Sequence, residues 1–419
     1  MGDACIMKGK WLDSLYRTFP ALSYRNFRLF WFGQAISLIG TWIQNVGQGW
    51  LVLELTNNSA YMLGIVTMLQ TLPVLLLSLV AGAFVERFPK RNVLLVTQSC
   101  FGILAAVLAT LTLFGVVKYW HVLVLATLLG LTNTFDMPAR QALYAEIVDK
   151  KDLTSAISMN SMIFNLARIV GPSVAAFLIA ALGIAICFYL NALSFVAVIA
   201  GLYMMDISHI HLQPSGRSAM KDIMAGLKYV RTRPSIMFPL IMMGTLSLLA
   251  MNFNILVPTL AKVQLNIGVT GYGTLMTFMG LGAFLISLYL SAVGSRGGIN
   301  HIYWFGAYGL SLSLLALSIS RSAFFAELSL FLSGICMQAF NTLSNTAIQI
   351  NSEDEFRGRV MSLYSLMFVG VAPFGSYFSG WIAQNLGVNW AFGISGVLSL
   401  ILVMVISIVW SVSLKRQPT

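Results

Sequence analysis

The sequence predicts an all-α polytopic membrane protein, with twelve transmembrane helices arranged as two pseudo-symmetric six-helix bundles. Composition, apolar run lengths and the placement of the bases carry that expectation. Of 419 residues, 58% are hydrophobic and 9% charged, against about 25% charged in an ordinary soluble protein. Twelve runs reach the roughly 20 apolar residues that a helix needs to cross a bilayer. They are 29–53, 61–85, 92–117, 119–142, 156–181, 183–205, 235–260, 271–293, 299–320, 323–349, 360–385 and 389–412. Each must satisfy its own backbone hydrogen bonds in lipid, and each exceeds the length of a barrel strand, so helices are expected.

The bases orient these runs. With the N-terminus in the cytoplasm, inside segments hold 21 of the 25 Lys and Arg, and outside segments hold Lys118, Lys262 and Arg321. One base, Arg168, falls within a span. Such asymmetry is the positive-inside pattern, and an even number of spans preserves it with both termini cytoplasmic. The net charge of +11 does not point to nucleic acid, because the bases lie between apolar runs rather than on one basic face. The first 26 residues are mixed and basic, and the first run is longer than a leader's apolar core, so that span is expected to act as its own insertion signal.

In chain order, residues 1–26 form a cytoplasmic segment and 27–205 the first bundle. Residues 82–91 mark a water-facing turn between the second and third spans, since an acid and three bases crowd into six positions there. Residues 206–234 are a cytoplasmic linker, with a turn at Pro214-Ser215-Gly216, an amphipathic helix over Ala219 to Arg231, and Pro234 at the next span's mouth. Residues 235–412 make the second bundle and 413–419 a cytoplasmic tail. The halves carry a faint repeat: Gly130 and Gly334 are 204 residues apart, as are Gly183 and Gly387. A parallel repeat of six spans fits a transporter with its substrate between the bundles.

Polar residues inside the spans are the candidate site. Thr41, Gln44, Asn45 and Gln48 recur at helical spacing on the first span, on one face. Gln338, Asn341, Thr342, Asn345 and Gln349 do the same on the tenth. Such stripes either contact substrate in a cavity or tie helices together. Asn252 and Asn254 on the seventh span cannot share a face. Asn133, Asp136 and Arg140 lie in the inner third of the fourth span. Arg168 sits near the middle of the fifth, with Asp136 as its expected partner and Arg140 competing. Asp136 could titrate during transport, Arg168 could attract an anionic group, or the two could form a fixed salt bridge. Glu54, at the outer end of the first span, is either a second proton carrier or a surface charge.

Cys5, Cys100, Cys187 and Cys336 have no metal-ligand spacing and read as packing residues. His209 and His211 read as a solvated linker pair rather than a metal site. There is no phosphate loop and no nucleophile with a base and acid at hand. Neither enzyme chemistry nor a cofactor is expected.

Gly82, Glu86, Arg87, Lys90 and Arg91 resemble the loop signature between spans two and three of the major facilitator superfamily, with Glu for the usual Asp and Pro89 for a common Gly. A narrower resemblance covers roughly 27–182. Gly40-Thr41-Trp42, residues 44–56, Pro138-Ala139-Arg140-Gln141-Ala142-Leu143 and Asn165-Leu166-Ala167-Arg168-Ile169-Val170-Gly171-Pro172 are similar to the enterobactin-exporter and macrolide-efflux branch. Ser158, Ala167, Gly171-Pro172 and Ala175-Ala176 follow the superfamily's antiporter motif, with the smallest available residues where glycine is usual. The resemblance implies proton-driven export of a siderophore or amphipathic drug from a bacterium, by a monomer in the cytoplasmic membrane. It also implies that Glu86, Arg87 and Arg91 latch the cytoplasmic side shut, with Gly82 admitting the eleventh span. Import of a metabolite or organic anion, and a non-transporting scaffold or sensor, are the alternatives.

Overall fold

The computed structural model describes residues 19–149, 151–206, 219–293 and 299–415. Cys5, His209, His211, the Pro214-Ser215-Gly216 turn and the 1–18 segment lie outside the described residues. The described chain forms α1 (Arg25–Leu55), α2 (Ala60–Glu86), α3 (Lys90–Leu113), α4 (Tyr119–Ile147), α5 (Leu153–Leu182) and α6 (Ala185–Tyr203). There follow α7 (Ala219–Arg231), α8 (Pro234–Leu249), α9 (Phe253–Thr259), α10 (Gly268–Val293), α11 (Ile299–Ser318) and α12 (Ala323–Ile350). The last are α13 (Asp354–Ser365), α14 (Ala372–Asn385) and α15 (Val388–Lys415).

Local chemistry sets several boundaries. Ser59 and Ser322 cap α2 and α12, accepting from the backbone N–H of Met62 (3.2 Å) and Phe325 (3.3 Å), which satisfies an orphan donor of the first turn. Two spans expected as single helices are interrupted. The seventh breaks at residues 250–252 between α8 and α9 and continues through a π turn, Leu260–Gln264. The eleventh runs from α13 through a π turn, Leu366–Gly370, into α14. Prolines 258 and 373 stand beside these turns. Proline removes an internal hydrogen bond and clashes with the preceding turn, which favours such interruptions.

Among the described residues, ten stretches are long and apolar enough to cross a membrane, including the composite Pro234–Gln264 and Glu355–Asn385. The expected twelve are reached if α1 and α11 join them. α1 has 31 residues, but Gln34, Gln44, Asn45 and Gln48 dilute its hydropathy.

Helix packing repeats between the halves. α2 packs on α4 as α10 packs on α12, α3 on α4 as α11 on α12, and α3 on α6 as α11 on α15. The glycine pairs explain themselves here. A side chain at Gly130 would run into the Gln70 carbonyl of α2, and one at Gly334 into the Met279 carbonyl of α10. Gly183 (φ 84°) and Gly387 (φ 97°) make the equivalent turns before α6 and α15, in a backbone region costly for any residue with a Cβ. Gly130→Val and Gly334→Val are each expected to destabilise by about 1–3 kcal/mol. Gly102→Ala, whose nearest contact would be an ordinary 3.6 Å, should change little. Melting temperatures of the three purified variants check this.

Among the described residues, two extended helix contacts join the halves. α5 lies along α10 and α2 along α14. Gly64 approaches the Ser376 carbonyl and Gly380 the Ala60 carbonyl, at 2.7 and 2.8 Å from where a Cβ would stand. Gly273 of α10 meets Pro172 and Ala176 of α5. Small residues allow this close backbone approach. The linker helix α7 is tied to α13: Tyr229 stacks on Phe356 at 4.3 Å, its hydroxyl accepts from the Glu353 N–H (3.0 Å), and Arg233 pairs with Glu353.

Candidate functional site

The site is assembled from polar residues that the helix faces turn toward the boundary between the two halves. The end bearing Arg25 and Lys415 is here the near end, and the opposite end the far end. Arg168 lies on α5, four residues before Pro172, and is 9% exposed. Its Nη2 donates across the boundary to Gln338 Oε1 of α12 (3.1 Å) and within α5 to Asn165 Oδ1 (2.8 Å). Its Nε is buried with no partner.

The expected Arg168–Asp136 pairing is not formed. Asp136, 1% exposed, accepts from Thr97 Oγ1 (2.7 Å) and Gln98 Nε2 (2.7 Å) of α3, and from both Nε (3.1 Å) and Nη2 of Arg140 one turn along α4. Arg140 also donates to Gln34 of α1. The rotation of α4 turns its carboxylate into the first bundle, toward α3, so Arg140 wins the competition.

The stripe on α1 divides in the same way. Gln44 Oε1 accepts from Asn191 Nδ2 of α6 (2.7 Å), and Gln48 Nε2 donates to Gln70 Oε1 of α2 (2.9 Å). Thr41 returns a hydrogen bond to the Ser37 carbonyl (2.9 Å). Asn45 alone of the four is exposed. On α12, Gln338 Nε2 donates to Thr342 Oγ1 (3.2 Å), Asn345 accepts from Gln349, and Asn341 Oδ1 is buried without a partner. Asn133 is half-buried. Asn252 stands at the break between α8 and α9, donating to the Leu248 carbonyl (2.8 Å), while Asn254 is exposed.

The far end holds a cross-boundary cluster that spacing along the chain did not reveal. Lys262 lies 4.6 Å over the Trp50 ring, whose other neighbour is Tyr272, stacked at 6.3 Å. The Lys262 ammonium is 3.9 Å from Glu54 Oε1, so Glu54, though 48% exposed, faces a base of the other half. Tyr61 meets Tyr377 edge-on at 5.7 Å, and the Ser173 and Thr277 hydroxyls are hydrogen-bonded to each other. The hint in the sequence was Lys262 itself, one of three bases expected outside, opposite one of the few acids expected there.

The antiporter-like motif serves both boundaries of α5. A side chain at Gly171 would meet Trp42 of α1, while Pro172 and Ala176 face α10. Ala167 and Ala175 are wholly buried, and Ser158 is exposed toward the near end.

At the near end, a side chain at Gly82 would meet nothing within 4 Å, and the same holds for Gly358. The close approach expected at Gly82 is made at Gly64 instead. Lys90 Nζ donates to the carbonyls of Val85 (3.0 Å), Glu86 (3.2 Å) and Phe88 (3.1 Å), closing the C-terminus of α2. Arg91 donates to the carbonyls of Leu202 (2.6 Å) and Tyr203 (2.9 Å), closing α6. These bases satisfy the orphan carbonyls and negative dipole ends of two helices in the first half. Arg91 therefore does not reach across as a latch in this conformation. Glu86 and Arg87 are exposed where α2 ends.

The arrangement is a two-part helical body joined across the boundary at the far end, with a buried cation and amide groups between the halves. Residues 17–417 match the family described as transmembrane secretion effector. The chain is 27% identical over 382 residues to the staphyloferrin A transporter of Staphylococcus aureus, covering 90% of this chain and 94% of that one. It is 22% identical over 391 residues to macrolide efflux protein A of Streptococcus pyogenes, covering 91% and 96%. Its fold is similar to that of a POT family transporter solved with 5-aminolevulinic acid, with a TM-score of 0.74 at 10% identity over 92% and 96% of the chains.

Proposed function

Because the chain belongs to the transmembrane secretion effector family of the major facilitator superfamily, we propose that this multi-pass membrane transporter exports a siderophore or an amphipathic drug from a bacterial cell by alternating access. The observation that carries the reading is the cross-boundary cluster at the far end. Glu54, Trp50, Lys262 and Tyr272 close that end, whereas a side chain at Gly82 or Gly358 at the near end would meet nothing within 4 Å. With the near end in the cytoplasm, as the positive-inside distribution supports, the central site faces inward. That is the state in which an exporter loads. Twelve spans, acting as a monomer in the bilayer, complete the arrangement.

Export is driven by rocking one bundle against the other about the central site. Protons entering from outside supply the energy. Glu54 is the better placed of the two carrier candidates: its protonation removes the attraction to Lys262 and loosens the far end. Asp136 is engaged by four donors and serves the first bundle's architecture. Closure of the near end in the opposite state brings Gly82, Glu86 and Arg87 against the second bundle.

Everted membrane vesicles test the reading. With the lumen acidified, they should accumulate an amphipathic fluorescent probe, and a protonophore should abolish the accumulation. Accumulation in right-side-out vesicles alone would favour import. Uptake in neither, across siderophore and drug probes, would favour a scaffold or sensor.

A further inference from the structure

We propose that Arg168 and Asn341 form a subsite for a carboxylate-bearing substrate with a neighbouring hydroxyl or N–H donor, in which the substrate oxyanion displaces the Gln338 amide oxygen from the guanidinium. The inference rests on the export reading for its transport consequence, though its binding chemistry is independent of direction.

Burying a guanidinium is costly unless a counter-charge is provided. Arg168 has only neutral acceptors, Asn165 Oδ1 and Gln338 Oε1, and its buried Nε has none. Asp136 is taken by Arg140, Thr97 and Gln98. At the far end, Glu54 lies 3.9 Å from the Lys262 ammonium and Glu327 accepts from the Thr274 hydroxyl. Among the described residues, the centre of the boundary is thus left with a positive charge that none of these acids balances. A carboxylate takes a guanidinium by two parallel bonds, each roughly twice as strong as one to a neutral amide. It would therefore outcompete the 3.1 Å Gln338 contact.

Asn341 gives the second half of the recognition. It lies three residues beyond Gln338 on the same helix face of α12, and its Oδ1 is buried with no donor. A buried amide oxygen in that condition calls for a donor. Placed one turn from the carboxylate position, it is matched by a hydroxyl or N–H adjacent to the acid group. Gln338 itself, with Nε2 held on Thr342 Oγ1 (3.2 Å), stays on α12 when its oxygen is displaced. Since the Arg168–Gln338 bond joins the halves, substrate entry replaces a direct bridge by one through the ligand. Binding is thereby linked to the relative position of α5 and α12.

The test uses the full chain in lipid nanodiscs, titrated by calorimetry with citrate, with tricarballylate (the same three carboxylates without the hydroxyl) and with the neutral triethyl ester of citrate. Citrate should bind about tenfold or more tightly than the ester, a difference of one charge-assisted contact. Arg168→Gln should lose that preference. Gln338→Glu, which keeps Arg168 but supplies an internal carboxylate, should lose it too. Asn341→Ala should weaken citrate to the level of tricarballylate and leave tricarballylate unchanged. Equal affinities for citrate and its ester, citrate binding unaffected in both Arg168→Gln and Gln338→Glu, or no carboxylate binding at about 10 mM would overturn the proposal. The two readings fail separately in everted vesicles. Uptake of an amphipathic cation without Arg168-dependent citrate binding removes the anion class and leaves export. Arg168-dependent citrate binding with no transport in either vesicle orientation leaves the subsite and removes export.

Discussion

Asp136→Ala should destabilise the protein by about 3 kcal/mol, toward the lower end of what breaking a buried ion pair costs. The carboxylate is 1% exposed and accepts from Thr97, Gln98 and Arg140. Its removal takes an acceptor from all three and leaves a guanidinium with no counter-charge. The lower end applies because the Arg140 side chain keeps 22% of its surface exposed and can recruit water. Replacing both members, Asp136→Leu with Arg140→Leu, should recover much of the loss, since an apolar pair has no charge to desolvate. Melting of the two single variants and the double variant in detergent gives the coupling energy. Additive effects would contradict the pairing described for α4.

The second large effect is on transport rather than stability. Ser173 and Thr277 touch across the α5–α10 contact in the far half. Cysteines at both positions, with Cys5, Cys100, Cys187 and Cys336 replaced by alanine, should form a disulfide on mild oxidation, because contacting side chains fall within disulfide reach. The crosslink holds the far end shut, so efflux should fall to background and return on reduction. Either single cysteine should leave efflux unchanged by the same oxidant. Undiminished efflux in the fully crosslinked protein would mean that α5 and α10 need not part during transport.

Much of the architecture could be read from the chain because lipid is a demanding solvent. Run lengths and the bases between runs are set by the bilayer, and neither depends on tertiary packing. The glycine pairs 130/334 and 183/387 were visible as a repeat, and the structure supplies their reasons: close backbone approach for one pair, positive φ for the other. The amphipathic α7 was equally legible, although its anchorage on α13 was not. Helix rotation was the quantity that spacing could not deliver. Gln44, Asn45 and Gln48 share a stripe about 100° wide on α1, yet Gln44 and Gln48 bond to α6 and α2 while Asn45 stays exposed. The same limit misdirected Arg168 toward Asp136. A rotation of α4 by a fraction of a turn decides whether that carboxylate faces α3 or the boundary. Lys262 and Trp50 meet across 212 positions of sequence, and no local period encodes such a pair.

The proposed rocking of the two bundles opens the far end as the near end closes. Distances between paired spin labels in proteoliposomes measure it most directly. Lys151 with Ile350 reports the near end, and Trp120 with Phe324 the far end; all four are exposed. On adding substrate and an inward proton gradient, the near-end distance should shorten while the far-end distance lengthens, and the oxidised Ser173→Cys, Thr277→Cys protein should show neither change. Distances that stay fixed at both ends during measurable efflux, or that move in the same direction, would contradict it.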